Sequence, residues 1–373
     1  MKKYIPISKP WITKREIELI QEQLLQSNLT SSSIEGGKIV QELERKIASF
    51  LKVKHVIAVN SGTSALLASL MALNISSGDE VIVPSFTFMA TANTVLMIGA
   101  KPVFADITLD NYGLDPKDVE RKITSKTKAI IVVHLYGYPA HIEQLLELAE
   151  KHNLAVIEDT AQAFGSSVKG KYVGTFGLLG CFSMYPSKLI TTAEGGFITT
   201  NDESLAQKLR MIRNHGQSEP YTPSILGLNL RLPELLAAIG IAQMERIEEI
   251  IRRRRRIAEI YSQNLSNEDL IIPIEPNHVK FNWNYYTVRV NPGIDREKLV
   301  QTLNSKGVGA TVYYRVPIHR TPLYQKLGFK NTLPNTELAA RTVISLPIYP
   351  EMTKEDAEYV IEVLKNFLNR SLN

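Results

Sequence analysis

Within residues 180–200, GCFSMYPSKLITTAEGGFITT, the only lysine is Lys188, and no other charged residue follows it until Glu194. A lysine kept away from countercharge, between a strand-like run and the turn at Gly195 and Gly196, is poised to lose its proton, because desolvation disfavours the ammonium form. As a free amine it is a nucleophile toward aldehydes. Most loop lysines are merely solvated, so a second group has to accompany it. Residues 154–165, LAVIEDTAQAFG, read as an apolar strand ending in Glu158 and Asp159 and running into small residues. An acid at the carboxyl end of a strand in an α/β sheet sits where ligands bind. A lysine that forms a Schiff base, together with an aspartate that keeps a pyridine nitrogen protonated, is the pair that pyridoxal phosphate requires.

The segments IEDTAQAFG, SMYPSK and AEGG, with 29 residues from Asp159 to Lys188, resemble the DegT/DnrJ/EryC1/StrS sugar aminotransferases, a branch of the fold-type-I pyridoxal phosphate enzymes. The likeness extends over nearly the whole chain. It implies an aspartate-aminotransferase-like fold, with the cofactor alternating between pyridoxal 5'-phosphate and pyridoxamine phosphate, and Lys188 and Asp159 as the catalytic pair. It also implies Gly62, Thr63 and Ser183 around the phosphate, joined by Asn229 of the partner subunit in a homodimer. Phe88 and Gln162 would hold the ring faces, while Tyr314, His319, Arg320 and Arg231 would approach the substrate. The implied reaction moves an amino group from an amino acid, L-glutamate foremost, to a 3- or 4-keto nucleotide hexose in amino-sugar or polysaccharide biosynthesis. Two departures stand out: Met184 where the family often has phenylalanine, and Ala193 where many members have glycine.

Two other readings remain open at this point. A related sugar dehydratase replaces the lysine by histidine, and Lys188 argues against it. A non-catalytic regulatory or nucleic-acid-binding protein on the same fold has only residues 252–256, five successive arginines, in its favour. On a helix those side chains point all round rather than to one face, so they read as a solvated or salt-bridged surface.

These groups must be positioned by a chain of 373 residues, too long for one simple core and suited to a large domain, 1–245, and a smaller α+β domain, 246–373. With 44% hydrophobic and 22% charged residues the composition is that of an ordinary globular protein. A formal net charge of +5 permits an anionic substrate such as a nucleotide sugar without demanding nucleic acid. The single cysteine, Cys181, excludes an internal disulfide framework, agrees with a reducing cytoplasm, and reads as core packing. The seven histidines show no HxxxH pattern and there is no CxxC, so no metal site is expected. The amino terminus lacks the apolar core of a signal peptide. Residues 81–100 have the length of a membrane span, but Pro84, Ser85, Thr87, Thr91, Asn93 and Thr94 would be costly in hydrocarbon. They read better as a buried strand, a turn and a helix.

In chain order, two amphipathic helices flank a polar loop at residues 27–33, which the resemblance places at the mouth of the site. HVIAVN then reads as a strand breaking into SGTSALLASLMALN, a small-residue turn that opens a helix. Free N–H groups there favour a phosphate, although an ordinary N-cap explains the same residues. Apolar strands DEVIVPS, KPVFADI, KAIIVVHLYG and LAVIEDT then alternate with helices, and EGGFITTN follows the lysine loop. Strands that are apolar throughout and interleaved with helices indicate a mostly parallel sheet, of about seven strands by the resemblance, covered on both faces. Beyond the arginine-bearing helix, NWNYYTVRV, GVGATVYYRVPIH and SLPIYP read as strands of the smaller domain.

Overall fold

A computed structural model describes residues 4–265 and 269–371. The central sheet is built from β1 (His55–Val59), β2 (Glu80–Pro84), β3 (Lys101–Ala105), β4 (Thr127–Val133), β5 (Ala155–Asp159), β6 (Leu179–Ser183) and β7 (Gly196–Thr200). In space the strands run β1, β7, β6, β5, β4, β2, β3. Every neighbouring pair from β6 to β3 is parallel, whereas β7 is antiparallel to both β1 and β6. The reversal follows from the connection. Residues 184–195 contain no crossover helix, and without one a following strand can only fold back beside its predecessor. That fold-back loop is the one that carries Lys188.

The first nine helices are α1 (Lys14–Leu25), α2 (Lys38–Leu51), α3 (Gly62–Ala72), α4 (Ala90–Met97), α5 (Pro116–Lys122), α6 (Ile142–Lys151), α7 (Glu203–Arg213), α8 (Glu234–Met244) and α9 (Ile247–Asn264). One sheet face packs Ile57, Val81, Val83 and Ile131 against Leu66 and Leu70 of α3 and Leu209 of α7. Elsewhere Val56, Ala58 and Phe197 meet Leu43 and Ile47 of α2 and Ile241 of α8. This two-sided burial is why the strands lack the polar alternation of a half-exposed sheet. Residues 81–100 are strand β2, a turn and helix α4.

A second, antiparallel sheet has the order Leu270–Ile271, Tyr286–Val290, Val343–Leu346 and is backed by helices Arg296–Ser305, Pro334–Thr342 and Lys354–Ser371. Contacts tie it closely to the central sheet. The side chain of Asn282 donates to the carbonyls of Gln162 and Phe164, both at 3.0 Å. Asp106, just after β3, accepts from the backbone N–H groups of Asn335 and Thr336 at 3.0 and 2.8 Å.

Two expectations need correction. Residues 307–319 form no strand, and their only sheet-like pairing is through the isolated bridges of Val308 to Ile5 and Thr311 to Ser345. Pro317 has no N–H to give a ladder, and the chain turns so that the Tyr313 ring packs 4.6 Å from that of Tyr285. The arginine run is also not simply a surface. Arg254 is fully buried and donates through Nη1 to the carbonyls of Trp283, Asn284 and Ile348 at 3.2, 3.2 and 3.1 Å, and burial pushes its pKa down to about 10. Arg255 pairs with Glu275 at 2.7 Å, and Arg253 pairs with Glu249 at 2.7 Å and lies over the Trp11 ring. At about 100° per residue, consecutive positions on a helix face the core and the solvent in turn.

Candidate active site

The site lies at the carboxyl ends of β5 and β6. These strands pair in parallel with Asp159 opposite Cys181, and the Thr160 N–H donates to the Cys181 carbonyl at 2.8 Å. Of the two adjacent acids that end β5, only one faces the site, because neighbouring residues of a strand point to opposite faces. Glu158 turns away and is fully buried. Its Oε1 accepts from the N–H groups of Phe176 and Gly177, and its Oε2 from Gly174, each at 2.7 Å. Oε2 also meets Nε2 of buried His134 at 3.0 Å, and His134 Nδ1 accepts from the Ala140 N–H at 3.0 Å. That bond makes Nδ1 an acceptor, so Nε2 carries a proton toward Glu158. Glu158→Gln would set an amide NH2 against several buried donors. We expect it to lower stability by about 3–5 kcal/mol in urea unfolding.

Asp159 is buried with both oxygens engaged. Thr91 Oγ1 donates to Oδ2 at 2.8 Å, and the Ala161 N–H donates to Oδ1 at 3.2 Å. Burial raises the Asp159 pKa above the ordinary carboxylate value, opposed by these two bonds, by the charge of Lys188 and by the nearby His134 imidazole. Lys188 is half-buried in the loop after β6, where its own N–H donates to the Tyr185 carbonyl at 2.9 Å. Among the described residues its Nζ takes no hydrogen bond and no ion pair, so the amine is uncommitted.

Gln162 holds two aromatic residues in register. Its Oε1 accepts from the Tyr136 N–H at 2.7 Å, and its Nε2 donates to the Tyr314 hydroxyl at 3.2 Å. The Phe88 ring, half exposed, lies 6.2 Å from that of Tyr314. Phe88, Gln162 and Tyr314 therefore form one group beside Asp159, whose charge acts on the Tyr314 hydroxyl.

Gly62 and Thr63 open helix α3. Ser61 caps it, its Oγ accepting from the Ser64 N–H at 3.0 Å, so the first two N–H groups take no partner among the described residues. A Cβ on Gly62 would stand 2.8 Å from Cβ of Ser183, a close approach that only glycine permits. Gly62, Thr63 and Ser183 thus line a helix amino terminus suited to an anion. The Asn229 side chain is exposed, while the Asn229 backbone carbonyl accepts from Nδ2 of Asn60 at 3.4 Å beside the same helix.

The remaining residues are held elsewhere. Arg231 donates to Asn214 Oδ1 at 2.6 Å and lines a cavity of about 920 Å³ with Ser32, Glu35, Arg210 and Tyr221. His319 is buried with Nδ1 2.7 Å from Ser85 Oγ and Nε2 3.4 Å from Glu337, and burial lowers its pKa. Arg320 pairs with Glu337 at 2.6 Å. His319 thus braces the loop between β2 and α4 that carries Phe88. A cavity of about 630 Å³ between residues 109–112, 139–144 and 271–281 contains neither Lys188 nor Asp159. The sequence reading missed Thr91, Tyr136 and His134; the i, i+4 spacing of Thr87 and Thr91 was the one available signal.

The two departures have local explanations. Met184 is fully buried, and its backbone is paired with Gly195 and Thr192 at 2.8 and 2.9 Å. Ala193 has φ +67°, in the left-handed region that favours glycine. Ala193→Gly is expected to stabilise the chain by up to about 1 kcal/mol, the relieved strain being partly offset by a freer unfolded state, with thermal unfolding as the check.

Pyridoxal phosphate fits this set of residues: an uncommitted amine, a buried carboxylate, a ring-bracketing group and an anion-ready helix terminus converge at two strand ends. Comparison with known proteins agrees. The chain is 39% identical over 98% of its length, and 99% of the relative's, to GDP-perosamine synthase of Escherichia coli O157:H7. DesV of S. venezuelae superposes with a TM-score of 0.91 at 33% identity, covering 98% of each chain. The PLP form of the putative sugar aminotransferase Spr1654 of Streptococcus pneumoniae gives 0.93 at 27% identity, covering 99% of this chain and all of that one. Residues 14–365 match the model of the DegT/DnrJ/EryC1/StrS aminotransferase family, and the chain belongs to that family.

Proposed function

We propose that this protein is a pyridoxal-phosphate-dependent aminotransferase that moves an amino group from an amino acid, L-glutamate foremost, to a keto-sugar nucleotide. The observation that carries the reading is the pairing of the uncommitted Lys188 amine with buried Asp159, close enough for the lysine charge to act on the carboxylate. When bound, the cofactor supplies an aldehyde that condenses with amines and a protonated ring that accepts an electron pair. Lys188 Nζ would be the attachment point and, as a free amine, the general base that takes the Cα proton of the donor and returns it. Asp159 keeps the proton on the ring nitrogen. Phe88 and Gln162 would hold the ring faces, and Gly62, Thr63 and Ser183 would bind the phosphate through N–H and hydroxyl donors.

The relative named GDP-perosamine synthase and another, 39% identical over 91% of this chain and named as a UDP-N-acetyl-3-dehydro-glucosamine 3-aminotransferase, support a keto-sugar nucleotide as acceptor. Family membership supports a homodimer in which the exposed Asn229 side chain would complete the phosphate site of the other subunit. Burial of the lone Cys181 accords with a reducing cytoplasm, and none of the helices among the described residues is long and apolar enough to cross a membrane. The test is to load the protein with cofactor, treat it with glutamate, remove the donor, and offer 3-keto and 4-keto nucleotide hexoses. An amino-sugar nucleotide detected by mass is the expected result. Failure to take up the cofactor, or to convert glutamate to its keto acid, would end the proposal.

A further inference from the structure

We infer that Thr91 is a positioning residue for the cofactor site: its hydroxyl, steadied by Thr87, orients the Asp159 carboxylate and favours its ionised form. This rests on the role proposed above for Asp159. Thr91 lies in the first turn of α4, is fully buried, and its Oγ1 is 2.8 Å from Asp159 Oδ2. Thr87, one turn earlier and also buried, places its own Oγ1 3.1 Å from that of Thr91. An ionised Asp159 can only accept, so the protons run from Thr87 to Thr91 to Asp159.

The contrast with Thr94 in the same helix marks Thr91 as specialised. Thr94 Oγ1 bonds back to the Ala90 carbonyl at 3.0 Å, the usual local partner of a helical threonine. Thr91 instead sends its hydroxyl across to a different element, 68 residues away in the chain. The segment is held at its other end as well, by His319 on Ser85 Oγ and by the Ile318 N–H on the Ser85 carbonyl at 3.0 Å. Residues 85–91 thus present Phe88 between two fixed points.

The groups acting on Asp159 divide clearly. Thr91, the Ala161 N–H, Lys188 and His134 favour the ionised carboxylate, and burial opposes them. Tyr314 and Cys181 are the remaining titratable neighbours, and burial keeps both protonated. Glu158 is turned to the other side of β5 and saturated with donors. Removing the Thr91 hydroxyl therefore leaves Asp159 with one local hydrogen bond and tilts it toward the neutral form, which cannot hold a proton on a ring nitrogen.

The experiment measures the dissociation constant of pyridoxal phosphate from the whole chain by protein fluorescence quenching, between pH 5 and 9. It compares the native protein with Thr91→Val, Thr91→Ser and Thr87→Val, each checked for folding by circular dichroism. In Thr91→Val the acid-side loss of affinity should move up by about one pH unit, as follows from removing a hydrogen bond to a charged group. Thr91→Ser should restore the native profile, and Thr87→Val should move it in the same direction by less. Superimposable profiles for Thr91→Val and the native protein, or a Thr91→Ser profile as displaced as that of Thr91→Val, would overturn the role. Should Thr91→Val not fold, Thr91→Ala and Thr87→Val make the same comparison. A native protein that binds no pyridoxal phosphate at any pH refutes the cofactor reading itself, and Thr91 with it.

Discussion

Lys188→Ala is expected to abolish aminotransfer, lowering kcat by at least about 10³-fold, because on the roles proposed above it removes both the attachment point and the proton-transferring base. Borohydride reduction followed by mass spectrometry reads the first role directly: the native chain gains the mass of the cofactor at Lys188, and the variant does not. Lys188→Arg separates amine from charge. A guanidinium keeps the positive charge near Asp159 but is not deprotonated in proteins, so the arginine variant should be as inactive as the alanine one while its cofactor affinity falls less. Both variants should fold. Lys188 is half-buried and its Nζ makes no hydrogen bond or ion pair with the described residues, so little native structure depends on it. Residual activity within tenfold of the native rate in Lys188→Ala would remove this lysine from the mechanism.

Asp159→Asn should divide function from stability. The amide carries no charge to keep a ring nitrogen protonated, and we expect kcat/KM to fall by about 10²–10³-fold, the usual effect of removing one preorganised electrostatic group. Stability of the cofactor-free chain moves the other way. Burial raises the folded-state pKa of Asp159 above its unfolded value. Between those two values the folded chain holds more protons than the unfolded one, so this group makes stability fall as pH rises through that window. As pH rises through that window the cost of a buried carboxylate sets in. Asparagine avoids that cost with its Oδ1 accepting from Thr91, while its Nδ2 gives up the longer 3.2 Å bond from the Ala161 N–H, the smaller of the two contributions. The cofactor-free variant should therefore melt higher than the native chain at pH 7, and the difference should shrink on acidification toward the ordinary carboxylate pKa. A variant that melts lower at pH 7, with the gap unchanged at pH 5, would contradict this balance.

The regular elements were legible in the residue pattern because two-sided burial of a sheet leaves unmistakable apolar strands. Each strand of the central sheet was recoverable, and so was the helix opening at Gly62, where small residues and a serine N-cap stand together. The pair proposed for the chemistry, Lys188 and Asp159, also stands out in the sequence, since both lie in short segments whose residue types are distinctive even without contacts. The seven-stranded order and the direction of β7 were not, because strand pairing is set by contacts between residues far apart in sequence.

The site beyond that pair depended on the tertiary structure. Glu158 and Asp159 are adjacent and chemically alike, and only the pleat of β5, with His134 and the turn at residues 174–177 behind it, decides which carboxylate is free for chemistry. His319 and Tyr314 come from one aromatic-rich segment, yet packing sends one to brace Ser85 and the other to Gln162. Five identical arginines receive three different environments because a helix turns them successively toward core and solvent. Residue type and spacing therefore pointed to the lysine and carboxylate that pyridoxal phosphate requires, and the family resemblance supplied the reaction. Which copy of each group faces the reaction, and with what proton affinity, was decided by burial and by partners that only the folded chain brings together.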